Sequence, residues 1–340
     1  MTIAQRGAPA SLEAARRFSV APMMDWTDRH CRYLHRLLTQ NSLLFTEMVT
    51  SAAIMHGDVD RHLRFDAFEQ PVAVQLGGSD PAELAGATRH CDAYGYAEIN
   101  LNVGCPSDRV QSGRFGACLM AEPALVADCV RAMRDATARP VTVKCRIGID
   151  DQDTEESLDR FADAMVEAGV DALYVHARKA WLQGLSPKEN RTIPPLDYPR
   201  VHRLRARLAP LPMMINGGIE TLDHAEAHLA HMDGVMLGRA AYHNPMLLAE
   251  VDARIFGDDR PVPALAEIIH AMADYAERQL SEGARLNQIA RHMLGLANGR
   301  PGARQFRQIL SVDACRPNAG PDVMLRALAA VESAPLAAAG

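Results

Sequence analysis

Lysine is almost missing from this 340-residue chain: only Lys144, Lys179 and Lys188 occur, and arginine supplies the rest of the 36 basic residues. Those three positions are either chance survivors or places where a compact ammonium does what a planar guanidinium cannot. No apolar run reaches about 20 residues, which excludes a transmembrane helix. The opening MTIAQRGAPASLEAARR has no apolar core ahead of a small-residue cleavage site. Residues 1–17 therefore read as a flexible tail and not a secretory signal, and a cytoplasmic location is expected. The seven cysteines (Cys31, Cys91, Cys105, Cys118, Cys129, Cys145 and Cys315) are odd in number and none are spaced C-x-x-C. That argues against a disulfide framework and a zinc ribbon, and predicts reduced thiols, most of them buried and inert. His224, His228 and His231 fall on one helical face, but no carboxylate or cysteine pattern completes a site around them, so no metal is expected. With a net charge of −6 the chain is not a general polyanion binder; any nucleic-acid contact must come from a local patch.

What the sequence does have is a regular alternation. Short β-rich runs at FSVAPM (18–23), LLFTEM (43–48), PVAVQL (71–76), YAEINLN (96–102), VTVKCRI (141–147), ALYVHA (172–177), MMING (213–217) and GVMLGR (234–239) are separated by helical patterns. Helix starts are marked by a capping residue or first-turn proline at Asp80-Pro81, Glu122-Pro123, Thr154, Asp197 and Thr221. Residues 49–70 are less regular and predict only a short helix. Eight β/α units over 18–257 predict an α/β fold of the (β/α)8 TIM-barrel type. The rival, a doubly wound open sheet, would usually carry G-x-G-x-x-G after a strand, and no such match occurs. After the charged, proline-rich GDDRPVP (257–263) the strand signal stops. Helical patterns at 264–281, 284–298, 302–314 and 321–334 predict a small C-terminal all-helical domain over 264–335.

A barrel of this kind works at the C-terminal ends of its strands. There the sequence places Pro22-Met23-Met24, Gln75, Asn102, Cys105, Lys144 with Arg146, His176 with Arg178, Asn216-Gly217-Gly218 and Gly238-Arg239. Glycine loops after strands seven and eight, with Arg239 beside them, are the usual means of gripping one phosphate; two ordinary tight turns are the plain alternative. Lys144 beside a flavin would stabilise the negative charge of the reduced ring, against the alternative of a buried structural ion pair. Together with Gln75 and His176 these features point to flavin mononucleotide. Cys105 lies in a Gly104–Pro106 turn, held by restricted backbone. An ordinary thiol is mostly protonated at neutral pH, and a protonated group is what a general acid requires. Two basic stretches then suggest RNA: Arg178, Lys179, Lys188 and Arg191 around Trp181, and Arg285, Arg291, Arg300, Arg304, Arg307 and Arg316 in the helical part.

Over residues 18–315 the motifs APMMDWTDRH, PVAVQLGG, EINLNVGCPSDRVQSGRFGACLM, VTVKCRIG, YVHARKAWLQGLSPKENR, INGGI, VMLGRAAYHNP and GARQFRQIL are long and specific. The sequence resembles the tRNA-dihydrouridine synthases, most closely the bacterial A-type. The resemblance implies an FMN barrel joined to a helical tRNA-binding domain. It implies FMN contacts from Pro22, Met23, Met24, Gln75, Lys144, His176, Asn216, Gly217, Gly218, Gly238 and Arg239, and Cys105 as the catalytic acid. Asn102 would lie next to the target uridine, and Lys188, Arg191, Arg304 and Arg307 would contact tRNA. The expected reaction is reduction of the uracil C5=C6 bond of D-loop uridines 20 and 20a, with NADPH as a transient donor and the protein acting as a monomer. Two other readings stand beside it: a dihydroorotate dehydrogenase-like enzyme on a free pyrimidine, which would leave the helical part idle, and a non-catalytic RNA-binding protein on a dead barrel.

Overall fold

The computed structural model describes residues 11–107 and 113–334. Eight parallel strands close into a barrel in the order β1 to β8: β1 Phe18–Val20, β2 Leu43–Thr50, β3 Val72–Gly77, β4 Glu98–Val103, β5 Val141–Arg146, β6 Ala172–His176, β7 Met213–Asn216 and β8 Gly234–Leu237, with β8 pairing back onto β1. The TIM barrel expected from the alternation is the fold observed. β2 runs two residues further than its apolar run, and β1 stops at Val20, so Pro22 and Met23 belong to the loop above it. Residues 49–70 hold more than one short helix: Ser51–His56, Val59–Leu63 and a 3-10 turn at Ala67–Glu69.

The outer helices start where side chains can satisfy their open N–H groups. Asp28 caps Arg29–Leu38, Asp80 caps Pro81–Ala93, Asp197 caps Tyr198–Leu208 and Thr221 caps Leu222–Leu229, each side chain accepting from backbone N–H. The helix expected at Thr154 begins at Glu156, after a turn. An apolar layer between strands and helices carries most of the core.

Inside the barrel the two halves differ. Leu43 and Phe45 of β2, Ala172 and Tyr174 of β6, Met214 of β7 and Met236 of β8 form an apolar cluster. On β3, β4 and β5 the buried residues include Gln75, Glu98, Asn100, Asn102 and Thr142. Strand alternation sets this up, because Glu98, Asn100 and Asn102 are two apart and so share one face. Register then places Gln75 beside Asn100, Asn100 beside Thr142, and Asn102 beside Lys144.

The tail reading of residues 1–17 extends over residues 1–10, which lie outside the described residues. The rest differs from it: Leu12–Ala15 is a short helix, and Arg16 behind it is buried against Glu98 at 2.7 Å. Beyond the barrel the chain is helical, with Leu265–Ser281, Leu286–Ala290, Ala303–Val312 and Asp322–Glu332; residue 335 lies outside the described residues. The single helix expected over 284–298 is cut to one turn and a half. It ends at Ala290, and further on, at Gly295, the backbone lies so close to the barrel that a Cβ would sit 2.4 Å from the His243 carbonyl oxygen.

Candidate active site

The strand ends open into a cavity of about 400 Å³, within the range of small-ligand sites. Its wall includes Pro22, Met23 and Met24 after β1, Gln75 of β3, Asn102 and Cys105 at the end of β4, Lys144 of β5, His176 of β6, Asn216, Gly217 and Gly218 at β7, and Gly238 with Arg239 at β8. Arg191 lines it as well. The sequence residues tied to flavin, acid and uridine therefore meet in one space. Lys188, Arg304 and Arg307 do not line it. Lys188 is exposed at the start of the turn Glu189–Arg191, near Arg191 at the rim, and Arg304 and Arg307 are exposed on Ala303–Val312.

Lys144 donates from Nζ to Asn216 Oδ1 at 3.2 Å, and Asn216 Nδ2 donates to the Met236 carbonyl at 2.7 Å. The second bond fixes the amide so that its oxygen faces the ammonium. Burial, reinforced by the neighbouring Arg146 charge, pulls the Lys144 pKa down to about 8. Burial also pushes His176 well below its usual range, with Arg146 and Lys144 acting in the same direction, so this imidazole is neutral at pH 7. Gly217 has φ +113° and a Cβ there would lie 2.5 Å from His176 Cδ2; no larger residue fits that turn without displacing the ring.

Cys105 is partly buried at the head of its loop. Its N–H donates to Asn102 Oδ1 at 3.0 Å, and the Gly104 N–H donates to the same oxygen at 3.2 Å. Its carbonyl accepts from Ala117 N–H at 2.9 Å, and its Sγ lies 3.6 Å from Ser107 Oγ. Residues 108–112, just beyond it, lie outside the described residues.

Sequence reading gave no role to Arg146, yet it ties the mouth together. Its Nε donates to the Gly104 carbonyl at 2.9 Å, and Nη1 donates to the carbonyls of Lys179 at 2.9 Å and Asn190 at 3.0 Å. Burial, and then the Arg191 charge, lower its pKa to about 10, so it keeps its proton. The signal was available: Lys144 and Arg146 are two apart on β5 and face the same way. Asn190, wholly buried, was also passed over. It exchanges hydrogen bonds with the Trp181 backbone at 2.8 Å each way and so shapes the loop that carries Lys188 and Arg191. Arg178 instead turns outward to the carbonyls of Thr192 and Pro194.

The helical part reaches this mouth through Tyr242 and Asp28 of the barrel. Trp26, which lines the cavity, stacks on Tyr242 at 4.4 Å. Tyr242 Oη lies 3.2 Å from His292 Nδ1, and His292 Nε2 lies 3.0 Å from Asp28. Asp28 also accepts from Arg291 Nη2 at 2.6 Å while capping its own helix. Burial would raise the Asp28 pKa, but hydrogen bonding and charge from His292 and His30 hold it well below the carboxylate range.

Among the described residues no group of three or more His, Cys, Asp or Glu is placed to hold a metal, and no helix is long and apolar enough to cross a membrane. His228 and His231 instead pack on His202, with ring centroids 5.7 and 4.9 Å apart.

Comparison with known families settles the class. The family model described as dihydrouridine synthase (Dus) matches residues 19–328. The chain belongs to the dihydrouridine synthase family. Relatives named tRNA-dihydrouridine(20/20a) synthase are 57% identical in Vibrio cholerae over 93% of this chain and 96% of theirs, and 59% identical in Escherichia coli over 92% and 90%. Another of that name in Xanthomonas campestris is 57% identical over 92% of each chain. Among solved structures, an old yellow enzyme homologue from Zymomonas mobilis superposes with a TM-score of 0.52 at 13% identity, covering 75% of this chain and 92% of its own. A 2-naphthoyl-CoA reductase complex gives 0.53 at 11%, covering 69% and 49%. At these identities the two structures speak for the fold alone. Family membership makes the chain a flavin-dependent oxidoreductase of the dihydrouridine synthase type.

Proposed function

We propose that the protein reduces uridines 20 and 20a in the D-loop of tRNA to 5,6-dihydrouridine, with FMN in the barrel cavity and NADPH as the reductant. One observation carries the reading: Cys105 shares a single cavity with Lys144, Gln75, His176, the glycine pair Gly217-Gly218 after β7 and Gly238 after β8. The donor set fits FMN. Four cationic side chains, Lys144, Arg146, Arg191 and Arg239, line the cavity against two carboxylates, Asp25 and Glu220, which suits a phosphate and a ring that becomes electron-rich on reduction. Gly217, Gly218, Gly238 and Arg239 would hold the phosphate. Pro22, Met23, Met24, Gln75, Lys144, His176 and Asn216 would hold the ring and its ribityl chain. Bound there, FMN supplies hydride to uracil C6.

The remaining work falls to the chain itself. Cys105 holds a proton on Sγ and delivers it to uracil C5, and the sulfur left behind lies within reach of positive charge on Arg146 and Arg191. Asn102 orients the base and, through its other contacts, the Cys105 backbone. A base inside a barrel must leave its stack, which costs a few kcal/mol. Contacts elsewhere on the tRNA offset this, and Lys188, Arg191, Arg304 and Arg307 would make them. Residues 18–257 are thus the catalytic unit and 264–335 the tRNA-binding unit. The test separates two half-reactions. Cys105→Ala should keep FMN and its reduction by NADPH at near wild-type rates while losing dihydrouridine formation in tRNA by about a hundredfold or more. Equal loss of both half-reactions would sink the role given to Cys105.

A further inference from the structure

A single line of hydrogen bonds runs along the polar half of the barrel interior. At the end away from the cavity, Arg16 Nε meets Glu98 Oε2 at 2.7 Å. Thr142 Oγ1 donates to Glu98 Oε1 at 2.6 Å and accepts from Asn100 Nδ2 at 2.9 Å. Asn100 Oδ1 accepts from Gln75 Nε2 at 2.8 Å. Gln75 Oε1 accepts from Asn102 Nδ2 at 2.7 Å, and Asn102 Oδ1 accepts from the N–H groups of Gly104 and Cys105. Glu98, Thr142 and Asn100 are fully buried, Gln75 is 1% exposed and Asn102 7%.

Chemistry fixes the direction of this line from both ends. A carboxylate only accepts, so Thr142 must give Glu98 its single hydrogen and has only a lone pair left for Asn100. Asn100 must then turn its NH2 to Thr142 and its oxygen to Gln75. Gln75 in turn must point its oxygen at Asn102. At the other end, backbone N–H groups only donate, which demands the same orientation of Asn102. A flipped amide anywhere would set two donors or two acceptors face to face in a dry interior, where unmatched polar groups are costly.

We propose that Glu98 and Thr142, with Arg16 paired to the carboxylate, are positioning residues for the reaction. They lock the amides of Gln75 and Asn102 at the cavity wall and, through Asn102, anchor the backbone that carries Cys105. This rests on the FMN reading for its effect on flavin, but its effect on the Cys105 loop does not. Neither Glu98 nor Thr142 lines the cavity, so both act at a distance.

Thr142→Val keeps the shape and removes both hydrogen bonds; Thr142→Ser keeps both. Three quantities are read on each full-length protein: the FMN dissociation constant, the visible absorption and circular dichroism of bound flavin, and the rate at which iodoacetamide alkylates Cys105 without flavin, located by peptide mass. Thr142→Val should weaken FMN by roughly tenfold, the value of one lost charge-linked bond. It should also shift the flavin bands towards free FMN and change the alkylation rate severalfold, with Thr142→Ser restoring all three. If Thr142→Val does not fold, Asn100→Leu cuts the same line one step nearer the cavity and carries the same expectations. A folded cut that lowers the melting temperature while leaving spectrum, affinity and alkylation unchanged overturns the proposal. Wild-type protein that binds no FMN would instead defeat the flavin reading, and the alkylation rates would still decide this one.

Discussion

Lys144→Met should make the flavin-free protein more stable and the flavoprotein weaker. Methionine nearly matches lysine in length, so the change removes a charge more than a volume. Burial draws the Lys144 pKa from its ordinary value of about 10.4 to about 8, a penalty on the folded ammonium of about 3 kcal/mol. The side chain reaches the cavity and not the deep core, so a gain of about 1–3 kcal/mol is expected on removing the charge. The sign follows from proton counts. Below pH 8 the lysine is protonated in both folded and unfolded chains, and the folded state carries the whole penalty. Between about 8 and 10.4 the unfolded chain binds the proton and the folded one does not, so wild-type stability rises with pH and the variant's advantage fades. Urea unfolding of the apoproteins at pH 7 and pH 10.5 measures this directly. FMN affinity should move the other way, falling by about tenfold or more with the loss of a charged donor, and the flavin midpoint potential should become more negative. A variant no more stable than wild type at pH 7, or one whose advantage is the same at both pH values, would refute the reasoning.

Asp28→Ala removes a helix cap and leaves Arg291 and the buried His292 without their acceptor. A destabilisation of about 2–4 kcal/mol is expected, with hydrogen exchange rising first across 265–298, where the helical part meets the barrel. Arg304→Ala with Arg307→Ala should leave FMN binding unchanged and lower tRNA affinity, and the slope of log affinity against log salt should flatten by about 1.5. An unchanged slope would take these two residues off the tRNA surface.

The fold was legible because barrel strands buried on both faces are continuous apolar runs, and eight of them alternating with helical patterns leave few alternatives. The cavity residues were legible for a related reason: whatever ends a strand faces the mouth. Arg146 was placed at the mouth but given no role, and Asn190 was passed over, because their work is done through backbone groups, and a backbone partner leaves no residue type in the sequence to search for. The Glu98–Thr142–Asn100 line was hidden differently. Each member is an ordinary polar residue on an apolar strand, and only the register across β3, β4 and β5 brings them side by side. Alternation within YAEINLN and VTVKCRI does place Glu98, Asn100 and Asn102, and Thr142, Lys144 and Arg146, on common faces; that pattern was the readable trace. The helix expected over 284–298 stops at Ala290, and the close backbone approach at Gly295 that follows is something periodicity cannot foresee.

An acidic chain that meets RNA must keep some positive charge uncancelled, and the pairing pattern shows how this one does it. On the outer barrel helices arginines face carboxylates: Arg131 with Asp128, Arg134 with Asp171, Arg207 with Asp163, and Arg254 with Asp223 and Glu226. Such pairs contribute little stability at a surface and leave little net field. On the helices beyond the barrel Arg316 and Arg326 also pair with Asp313, and Arg291 pairs with Asp28, but around the cavity and at Arg307 the partners are neutral. Lys144 and Arg307 donate to amide oxygens, and Arg146 and Arg239 to backbone carbonyls. A carbonyl orients a guanidinium without cancelling its charge, so the same interactions that fix the site's geometry leave its field intact. The net charge of −6 is thus compatible with a mouth where Lys144, Arg146, Arg191 and Arg239 gather, and a phosphate backbone approaching there would meet those cations.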